Sequence, residues 1–275
     1  MKLQKGLKLM LDCFNREINY LRVSVTDRCN LRCTYCMPAD GVPMLTHTDI
    51  LSFDEIADVV RYGAGQGITK VRITGGEPLV RKGIVNLVSI LSKINGIKEL
   101  TMTSNGILLP VFAKELKAAG LHRINISLDT MNAERFAATT RGGNLNDVIA
   151  GVDAAIEADL TPVKLNCVIK NSPEDPDAIS VKEFAVSRGI EVRYIHLMDL
   201  HLGEFSKVIG GDGGNCASCN RLRLTANGNL IPCLFSNLEY NVRKLGLEKA
   251  FEMALGNKPV SGTTSNTHGF YNTGG

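Results

Sequence analysis

Residues 21–36 read LRVSVTDRCNLRCTYC, a stretch that joins a β-strand to three closely spaced cysteines. Arg22 and Ser24 alternate with Val23 and Val25 along the strand, and this period-two alternation places polar and apolar side chains on opposite faces. A parallel strand packed on both sides is expected to be apolar throughout. The stretch therefore predicts a parallel strand with one polar face that leads directly into a cysteine loop.

Five more β-branched runs follow, and helical patterns lie between them. Ser52 followed by Glu55 marks the start of one helix as a capping signal. The order predicts an α/β fold, a partial (β/α)6 TIM-type barrel with a small C-terminal cluster-binding extension. A glycine-rich composition shift at 210–214 predicts a boundary between a barrel domain, 1–199, and an extension, 200–275. The predicted strands are 21–26, 70–74, 99–103, 122–128, 162–169 and 190–197, and the predicted helices are 53–66, 82–95, 110–119, 143–158 and 176–188.

Polar side chains share one face of most of these predicted strands. Helices must cover the apolar face, so the polar face is expected to line the barrel interior. Because buried charges need partners, this pattern favours a cation-lined chamber for an anionic ligand. The alternative is an amphipathic sheet with one solvated face. The polar set consists of Arg22, Ser24, Thr26, Lys70, Arg72, Thr74, Arg123, Asn125, Ser127, Asp129, Lys164 and Asn166.

Bulk composition restricts the class of protein without naming a partner. The chain has 275 residues, 44% of them hydrophobic, and a net charge of +3. This mild charge gives no reason to expect a nucleic-acid partner, and no run of about 18 apolar residues indicates a membrane span. The N-terminal residues lack the apolar segment and cleavage site of a signal peptide, so we expect a cytoplasmic protein.

Six of the eight cysteines form two triplets, spaced C-x3-C-x2-C and C-x2-C-x13-C. Clustered cysteines in a cytosolic chain indicate metal binding rather than disulfides. A structural zinc site takes four ligands, whereas three thiolates can hold three irons of a [4Fe–4S] cluster and leave the fourth iron open. Structural zinc in one or both triplets is the alternative. The triplets are Cys29, Cys33 and Cys36, and Cys216, Cys219 and Cys233.

The first triplet and the later TGGEP at 74–78 resemble the motifs of the radical S-adenosylmethionine (radical SAM) superfamily. The resemblance implies that the open iron of the first cluster binds the amino and carboxylate groups of SAM, whose one-electron cleavage yields a 5′-deoxyadenosyl radical. It also implies that Tyr35 lies near the adenine and that Gly76 and Glu77 belong to the site for the SAM amino group. Glycines there allow a close backbone approach.

Further motifs narrow the resemblance to the GTP 3′,8-cyclase family (molybdenum cofactor biosynthesis protein A). In chain order they include VRITGGEPLVR, ISLDT, TTRGG, VKLNCVIK, CNRLRLTANGNLIPCLF and a terminal Gly-Gly. The resemblance implies conversion of GTP to 3′,8-cyclo-7,8-dihydro-GTP, the first step of molybdenum cofactor biosynthesis, with SAM and two [4Fe–4S] clusters. It implies abstraction of the ribose 3′ hydrogen, joining of C3′ to guanine C8, and guanine at the open iron of the second cluster.

The same resemblance assigns residue roles. It implies that all six triplet cysteines are iron ligands, and that the catalytic residues are Cys29, Cys33, Cys36, Arg221 and Arg223. Contacts to SAM are implied for Tyr35, Gly76, Glu77, Ser127 and Met198. Contacts to GTP are implied for Arg22, Lys70, Arg72, Thr103, Lys164, Arg193, Arg221, Arg223, Gly274 and Gly275. The implied partners are GTP and a reductant such as flavodoxin or ferredoxin. The downstream cyclic pyranopterin monophosphate synthase is implied as a functional partner. The resemblance also allows a homodimer, and it implies neither a nucleic-acid partner nor a membrane.

The sequence departs from the family pattern after the sixth strand. Only 17 residues separate Met198 from Cys216, where familiar bacterial members have a much longer connection, and His196-Leu-Met-Asp199 replaces the more usual Glu-x-Met-Pro. These departures leave two alternatives open: a paralogue with another substrate, and a radical SAM peptide or natural-product maturase with one auxiliary cluster. Arg221 and Arg223, together with the Gly-Gly tail, favour GTP over a peptide.

Overall fold

The computed structural model describes residues 9–274, and the strands in this range form one nine-stranded sheet. The strand order is β6-β5-β4-β3-β2-β1-β7-β8-β9. Neighbours are parallel from β6 through β7, and β8 and β9 continue the sheet as an antiparallel edge. The strands are β1 (Tyr20–Ser24), β2 (Lys70–Thr74), β3 (Glu99–Ser104), β4 (Arg123–Ser127), β5 (Lys164–Ile169), β6 (Glu191–His196), β7 (Arg221–Leu224), β8 (Asn229–Ile231) and β9 (Tyr240–Asn241).

Helices alternate with the first six strands, as expected for a partial TIM-type barrel. The predicted capping signal is confirmed, because Ser52 and Glu55 form a reciprocal capping box at the start of α1. No helix in residues 9–274 has the length and apolar character needed to cross a membrane. The helices are α1 (Phe53–Gln66), α2 (Ile84–Ser92), α3 (Leu109–Ala118), α4 (Ala133–Thr140), α5 (Leu145–Glu157), α6 (Pro176–Ser187), α7 (Val242–Leu245), α8 (Leu247–Gly256) and α9 (Phe270–Thr273).

One of the barrel helices, α4, is missing from the sequence prediction. It is only eight residues long and ends in two threonines, whose branched side chains lower helix propensity. An Asn132 side chain at its N-terminus compensates by accepting a hydrogen bond from Arg135 N–H at 2.8 Å. The helix is further stabilised by packing of the buried Phe136 against the core, and this tertiary contact is invisible to a periodicity argument.

The predicted strand faces are confirmed. Val23, Ile73 and Ile126 are 0% exposed and belong to the main hydrophobic core. Arg22 and Arg72, on the opposite face, line an interior cavity. The sheet therefore has an apolar side in the core and a polar side that faces the inside of the barrel, and the alternative of a freely solvated polar face is wrong.

The C-terminal extension continues the barrel sheet. Strand β7 pairs in parallel with β1, with Arg221 opposite Tyr20 and Arg223 opposite Arg22. The hydrogen-bonded sheet thus crosses the predicted boundary at 199/200 without interruption. The division into two domains stays a prediction, while the register brings both arginines of the second cysteine motif to the chamber side of the sheet.

The short 199–215 connection packs along the edge strand β6. Tyr194 and Ile209 exchange two backbone hydrogen bonds of 3.0 Å, and the Phe205 ring lies 4.4 Å, centroid to centroid, from Phe235 of the extension. Residues from Phe205 to Asn215 contribute to the wall of the interior cavity. A connection of this length is therefore sufficient to wall the open side of the barrel beside β6.

Candidate active site

The first cysteine triplet lies on the loop after β1, at the carboxyl ends of the parallel strands. The unpredicted helix α4 holds this loop, because Arg32 N–H donates to the Thr140 carbonyl at 3.1 Å. Within the loop, Cys36 N–H donates to the Cys33 carbonyl at 3.0 Å. All three thiols are half-buried and line the same cavity. The position matches the end of the barrel where TIM-type enzymes place their active sites.

The arrangement of these thiols fits a cluster better than a single ion. Burial, with the charges of Asp129 and Cys29, raises the pKa of Cys33 to about 12, and burial with the charges of Cys33 and Cys29 raises the pKa of Cys36. The thiols are therefore close neighbours. Yet no three His, Cys, Asp or Glu side chains among residues 9–274 converge as one metal ion would require. A four-iron cluster gives each thiolate its own iron, whereas zinc needs its donors around one point.

A cavity of about 1090 Å³, open mouth included, lies against this loop; we call it cavity 1. One polar atom in its wall, Thr74 Oγ1, is buried and has no hydrogen-bond partner among the described residues. Such an atom is normally satisfied by a ligand or water, so the wall fits a polar bound molecule. The residues expected to contact SAM that line it are Tyr35, Gly76, Ser127 and Met198, and Thr103, expected to contact GTP, lines it too.

The Tyr35 side chain is fixed in the wall of cavity 1. Its hydroxyl donates to Asp129 Oδ2 at 2.6 Å, and Asp129 Oδ1 accepts from Val168 N–H at 2.8 Å. Burial, together with the charge of Asp129, raises the pKa of Tyr35 far above its ordinary value, so this hydroxyl keeps its proton. Sequence reasoning placed Asp129 on the polar face but did not assign it this supporting contact.

The glycine pair of the TGGEP motif lets two loops approach within hydrogen-bond distance. Gly76 N–H donates to the Thr26 carbonyl at 2.8 Å. A Cβ atom at Gly76 would lie 2.3 Å from the Arg28 carbonyl oxygen, which is a severe overlap. Gly75 has φ of +152°, a conformation that other residues rarely adopt. The two glycines therefore close the loop around cavity 1.

The Glu77 side chain lies behind this wall, outside the lining of cavity 1. It is 1% exposed, and it accepts from Leu79 N–H at 3.0 Å, Ser104 Oγ at 2.9 Å and Asn105 N–H at 2.7 Å. In this geometry the carboxylate holds the end of β3 against the TGGEP loop. A carboxylate has about four acceptor sites and three are used here, so the contact with the SAM ammonium expected from the motif stays a prediction.

A second cavity of about 1310 Å³, open mouth included, lies deeper in the barrel and extends under the C-terminal extension; we call it cavity 2. Asn166, Ile195 and Met198 line both cavities, which are therefore adjacent. Six of the predicted GTP-binding cations converge here with the second cysteine triplet. The cations in the wall are Arg22, Lys70, Arg72, Arg193, Arg221 and Arg223, and the cysteines are Cys216, Cys219 and Cys233.

Arg193 and Arg223 carry buried positive charges that are repelled by neighbouring arginines. Burial, together with the charge of Arg221, lowers the pKa of Arg223 to about 10. Burial and the charges of Arg72 and Arg123 lower the pKa of Arg193. Arg72 Nε and Arg193 Nε are buried without a hydrogen-bond partner among the described residues. Mutually repelling, desolvated cations of this kind form a site for a polyanion.

Two predicted cations, Lys70 in the wall of cavity 2 and Lys164, are paired with carboxylates. Lys70 Nζ lies 2.9 Å from Glu99, and Lys164 forms an ion pair with Glu191. Within the described chain, Lys164 lines neither cavity. Its predicted contact with GTP would require release from Glu191 and stays a prediction.

The second triplet is held by contacts from three parts of the chain. Cys219 N–H donates to the Cys216 carbonyl at 3.2 Å. From the N-terminal segment, Arg16 Nη1 donates to the same carbonyl at 2.8 Å. From beyond α8, the ammonium of Lys258 donates to the carbonyls of Arg221, at 2.8 Å, and Pro232. Sequence reasoning missed Arg16 and Lys258, because neither belongs to a motif or a periodic face.

The C-terminal tail returns to the strands beside both cavities. The Gly274 carbonyl accepts from Arg22 Nη2 at 3.2 Å and from Arg223 Nη1 at 2.8 Å, and Gly274 lines cavity 1. A Cβ atom at this residue would lie 2.4 Å from Thr74 Cβ. The structure thus places Gly274 against two of the predicted GTP-binding arginines. Gly275 lies outside the described residues.

Comparison with solved structures supports the barrel fold alone, because the identities are low. The chain superposes on anSMEcpe with bound AdoMet at a TM-score of 0.66 with 15% identity, covering 85% of this chain and 77% of the other. It superposes on Streptococcus suis SuiB bound to S-adenosylmethionine at a TM-score of 0.62 with 15% identity, covering 87% and 64%.

Sequence comparison is more specific. Residues 23–182 match the Radical SAM superfamily. The chain is 44% identical to GTP 3′,8-cyclase of Heliobacterium modesticaldum over 281 aligned positions, covering 85% of this chain and 86% of the relative. It is 40% identical to GTP 3′,8-cyclase of Petrotoga mobilis, covering 95% of both. The 281 aligned positions outnumber the 275 residues of this chain, so the alignment contains gaps. The chain belongs to the radical SAM superfamily and, within it, to the GTP 3′,8-cyclase family.

Proposed function

We propose that this protein converts GTP to 3′,8-cyclo-7,8-dihydro-GTP, using SAM and two [4Fe–4S] clusters. The observation that carries the proposal is the pair of adjacent cavities, each with a cysteine triplet in its wall and sharing Asn166, Ile195 and Met198. When bound, the first cluster and SAM supply a 5′-deoxyadenosyl radical that abstracts hydrogen from the substrate. The cations of cavity 2 hold that substrate close to the radical source.

The charge of cavity 2 supports a nucleoside triphosphate as the substrate. Arg22, Arg72, Arg193 and Arg223 offer guanidinium donors suited to phosphate oxygens. Two of these arginines, Arg22 and Arg223, donate to the Gly274 carbonyl oxygen in this structure, and the same guanidinium groups can donate to phosphate oxygens. We propose that the second triplet leaves one iron open toward cavity 2, where the guanine of GTP binds.

The residues of cavity 1 fit the SAM side of the reaction. Ser127 and Met198 lie in its wall with the tyrosine hydroxyl held by Asp129. Gly75 and Gly76 keep the backbone close enough for direct contact with a ligand. These residues orient SAM and exclude water, which protects a radical from side reactions.

The wider cellular role belongs to the same proposal. We expect a low-potential one-electron reductant such as flavodoxin or ferredoxin, and a cytoplasmic protein whose product passes to cyclic pyranopterin monophosphate synthase. A homodimer is compatible with this role. The reductant is required for activity, because radical formation from SAM consumes one electron.

The proposal is tested by anaerobic reconstitution with iron and sulfide, followed by GTP, SAM and dithionite. We expect roughly eight irons per chain, 5′-deoxyadenosine, and a cyclised dihydro-GTP product detected by mass spectrometry. Equal 5′-deoxyadenosine formation with and without GTP, with no nucleotide consumed, would show a paralogue with another substrate. Zinc in place of iron in anaerobically purified protein would reject the radical mechanism altogether.

A further inference from the structure

A buried lysine lies directly behind the second cysteine triplet. Lys258, on the segment after α8, is 2% exposed. Its Nζ donates to the carbonyl of Arg221, two residues after Cys219, and to the carbonyl of Pro232, immediately before Cys233. One side chain therefore ties together the two halves of the motif that supplies the second cluster's ligands.

The charge of this ammonium acts on two cysteines of the triplet, Cys219 and Cys233. An ammonium has three protons, and the carbonyls of Arg221 and Pro232 use two of them. Both carbonyls are close in sequence to a cysteine of the triplet. Lys258 thus places a buried positive charge beside the triplet, and it lies outside the lining of cavity 2.

No carboxylate among residues 9–274 neutralises Lys258. The groups whose charges act on it are Cys219, Cys233 and Arg16, and Arg16 is itself paired with Asp12 at 2.6 Å. An isolated buried ammonium is costly. The negative charge that balances Lys258 must therefore come from the thiolates and the cluster they bind.

The position of Lys258 is fixed by the same contacts that hold the triplet. Arg16 donates to the carbonyls of Cys216 at 2.8 Å, Pro259 at 2.7 Å and Val260 at 2.9 Å. The segment that carries Lys258 and the first cysteine of the triplet are thus joined through one guanidinium. These bonds fix the backbone next to Lys258 relative to Cys216.

We propose that Lys258 is a positioning residue that sets the charge of the second cluster, stabilising its thiolate ligands and raising its reduction potential. The inference rests on the proposed two-cluster function. Reduction potentials of iron–sulfur clusters depend on net charge and on hydrogen bonds to sulfur, and a buried cation beside the ligands favours the reduced, more negative state. Lys258 holds the backbone next to two of the ligands and does not line cavity 2, so that cavity stays open to substrate.

The test separates the charge of Lys258 from its hydrogen bonds. Lys258→Gln keeps two amide donors for the two carbonyls and removes the charge, whereas Lys258→Arg keeps the charge. Lys249→Gln, on the exposed side of α8 where Lys249 pairs with Glu252 at 2.9 Å, is the matched control. Iron content and midpoint potential, followed by electron paramagnetic resonance, are measured on the full two-cluster protein. The same measurements on C29A/C33A/C36A protein assign the signal to the second cluster.

We expect a lower potential or a loss of iron from the second cluster in Lys258→Gln, and values near wild type in Lys258→Arg and Lys249→Gln. An unchanged potential with full iron in Lys258→Gln would overturn the role of Lys258 while leaving the two-cluster function intact. Equal loss of iron in Lys258→Gln and Lys258→Arg would overturn a role for the charge. Absence of any cluster from C29A/C33A/C36A protein would instead overturn the two-cluster function, and this inference with it.

Discussion

The two cysteine triplets have opposite electrostatic surroundings. Around the first, burial raises the pKa of Cys29, with the charge of Glu77 acting in the same direction, and Asp129 contributes to the raised pKa of Cys33. Around the second, burial opposes ionisation of Cys219, but the Lys258 charge and the Arg221 backbone and charge outweigh it and lower the pKa of Cys219. Burial still raises the pKa of Cys233, so the contrast lies in the neighbouring charges: acids act on the first triplet and cations on the second.

The difference matches the molecules that the two open irons are proposed to bind. SAM carries a sulfonium and an ammonium, so acidic surroundings favour it, whereas GTP is a polyanion and is favoured by cations. Spacing alone makes the triplets look alike, since each has one ligand fewer than a closed four-cysteine site. Their neighbours distinguish them, and most of those neighbours come from distant parts of the chain.

Removal of one cysteine from each triplet should give the largest effect and separate the two sites. Cys36→Ala and Cys233→Ala should each lower the iron content from about eight to about four. Cys36→Ala should abolish 5′-deoxyadenosine formation, while Cys233→Ala should retain SAM cleavage and lose the cyclised product. Cys13→Ser, at an exposed cysteine outside both triplets, is the control for iron assay and product analysis. Identical product profiles for the two variants would contradict separate roles.

Arg223→Ala tests the cations around the second triplet. A lost charge-assisted hydrogen bond costs about 1.5–3 kcal/mol, so the Kd for GTP should rise about 10- to 100-fold. Arg221→Ala should have a smaller effect, because the Arg221 guanidinium lies nearer the surface, where it donates to the Asp212 carbonyl at 3.1 Å. Isothermal titration under anaerobic conditions measures both.

Arg61→Ala is the matched control for these arginines, since Arg61 pairs with Asp58 on the exposed side of α1. Iron content should stay unchanged in all three variants. Loss of clusters in Arg221→Ala or Arg223→Ala would make those arginines structural.

Tyr35→Phe tests the surroundings of the first triplet with a smaller expected effect, because it removes only the hydroxyl bonded to Asp129. The phenyl ring remains, but its orientation loses one hydrogen bond worth about 0.5–1.5 kcal/mol, so the KM for SAM should rise about 2- to 10-fold. Asp129→Asn keeps an acceptor and should have a weaker effect. 5′-Deoxyadenosine formation at varied SAM provides the measurement, and an unchanged KM with full iron content would show that the contact does not position SAM.

A separate prediction concerns the pH dependence of stability through Glu77. Burial raises the pKa of Glu77 from its ordinary 4.5 to about 7, against the pull of three hydrogen-bond donors. The folded protein therefore binds this proton more tightly than the unfolded chain does, and the associated stability is present below pH 4.5 and lost as pH rises through about 7.

Glu77→Gln removes this titration. The Tm of wild type minus that of Glu77→Gln should therefore decrease between about pH 5 and pH 8. Thermal unfolding in matched buffers measures the two profiles. Parallel profiles would mean that Glu77 titrates in the folded protein as it does in the unfolded chain.

Much of the barrel was predictable because strand periodicity is a local property. The alternation around Arg22 and Arg72 placed these cations in the interior without any knowledge of the fold, and the register of β7 on β1 confirmed the same side for Arg223. Helix α4 was missed because its stability depends on tertiary packing of Phe136 rather than on its own short pattern. Lys164 was placed on the correct face, but no local pattern shows that Glu191 would pair with it.

The sequence by itself determined the two cysteine triplets, the polar strand faces and the family, because each depends on residue types at fixed spacing along the chain. Only the tertiary structure decided which triplet lies among acids and which among cations. Arg16 reaches Cys216 across 200 positions of sequence, and Lys258 reaches Arg221 across 37. Electrostatic surroundings depend on distance in space, and the fold alone brings these charges within range of the sulfur atoms.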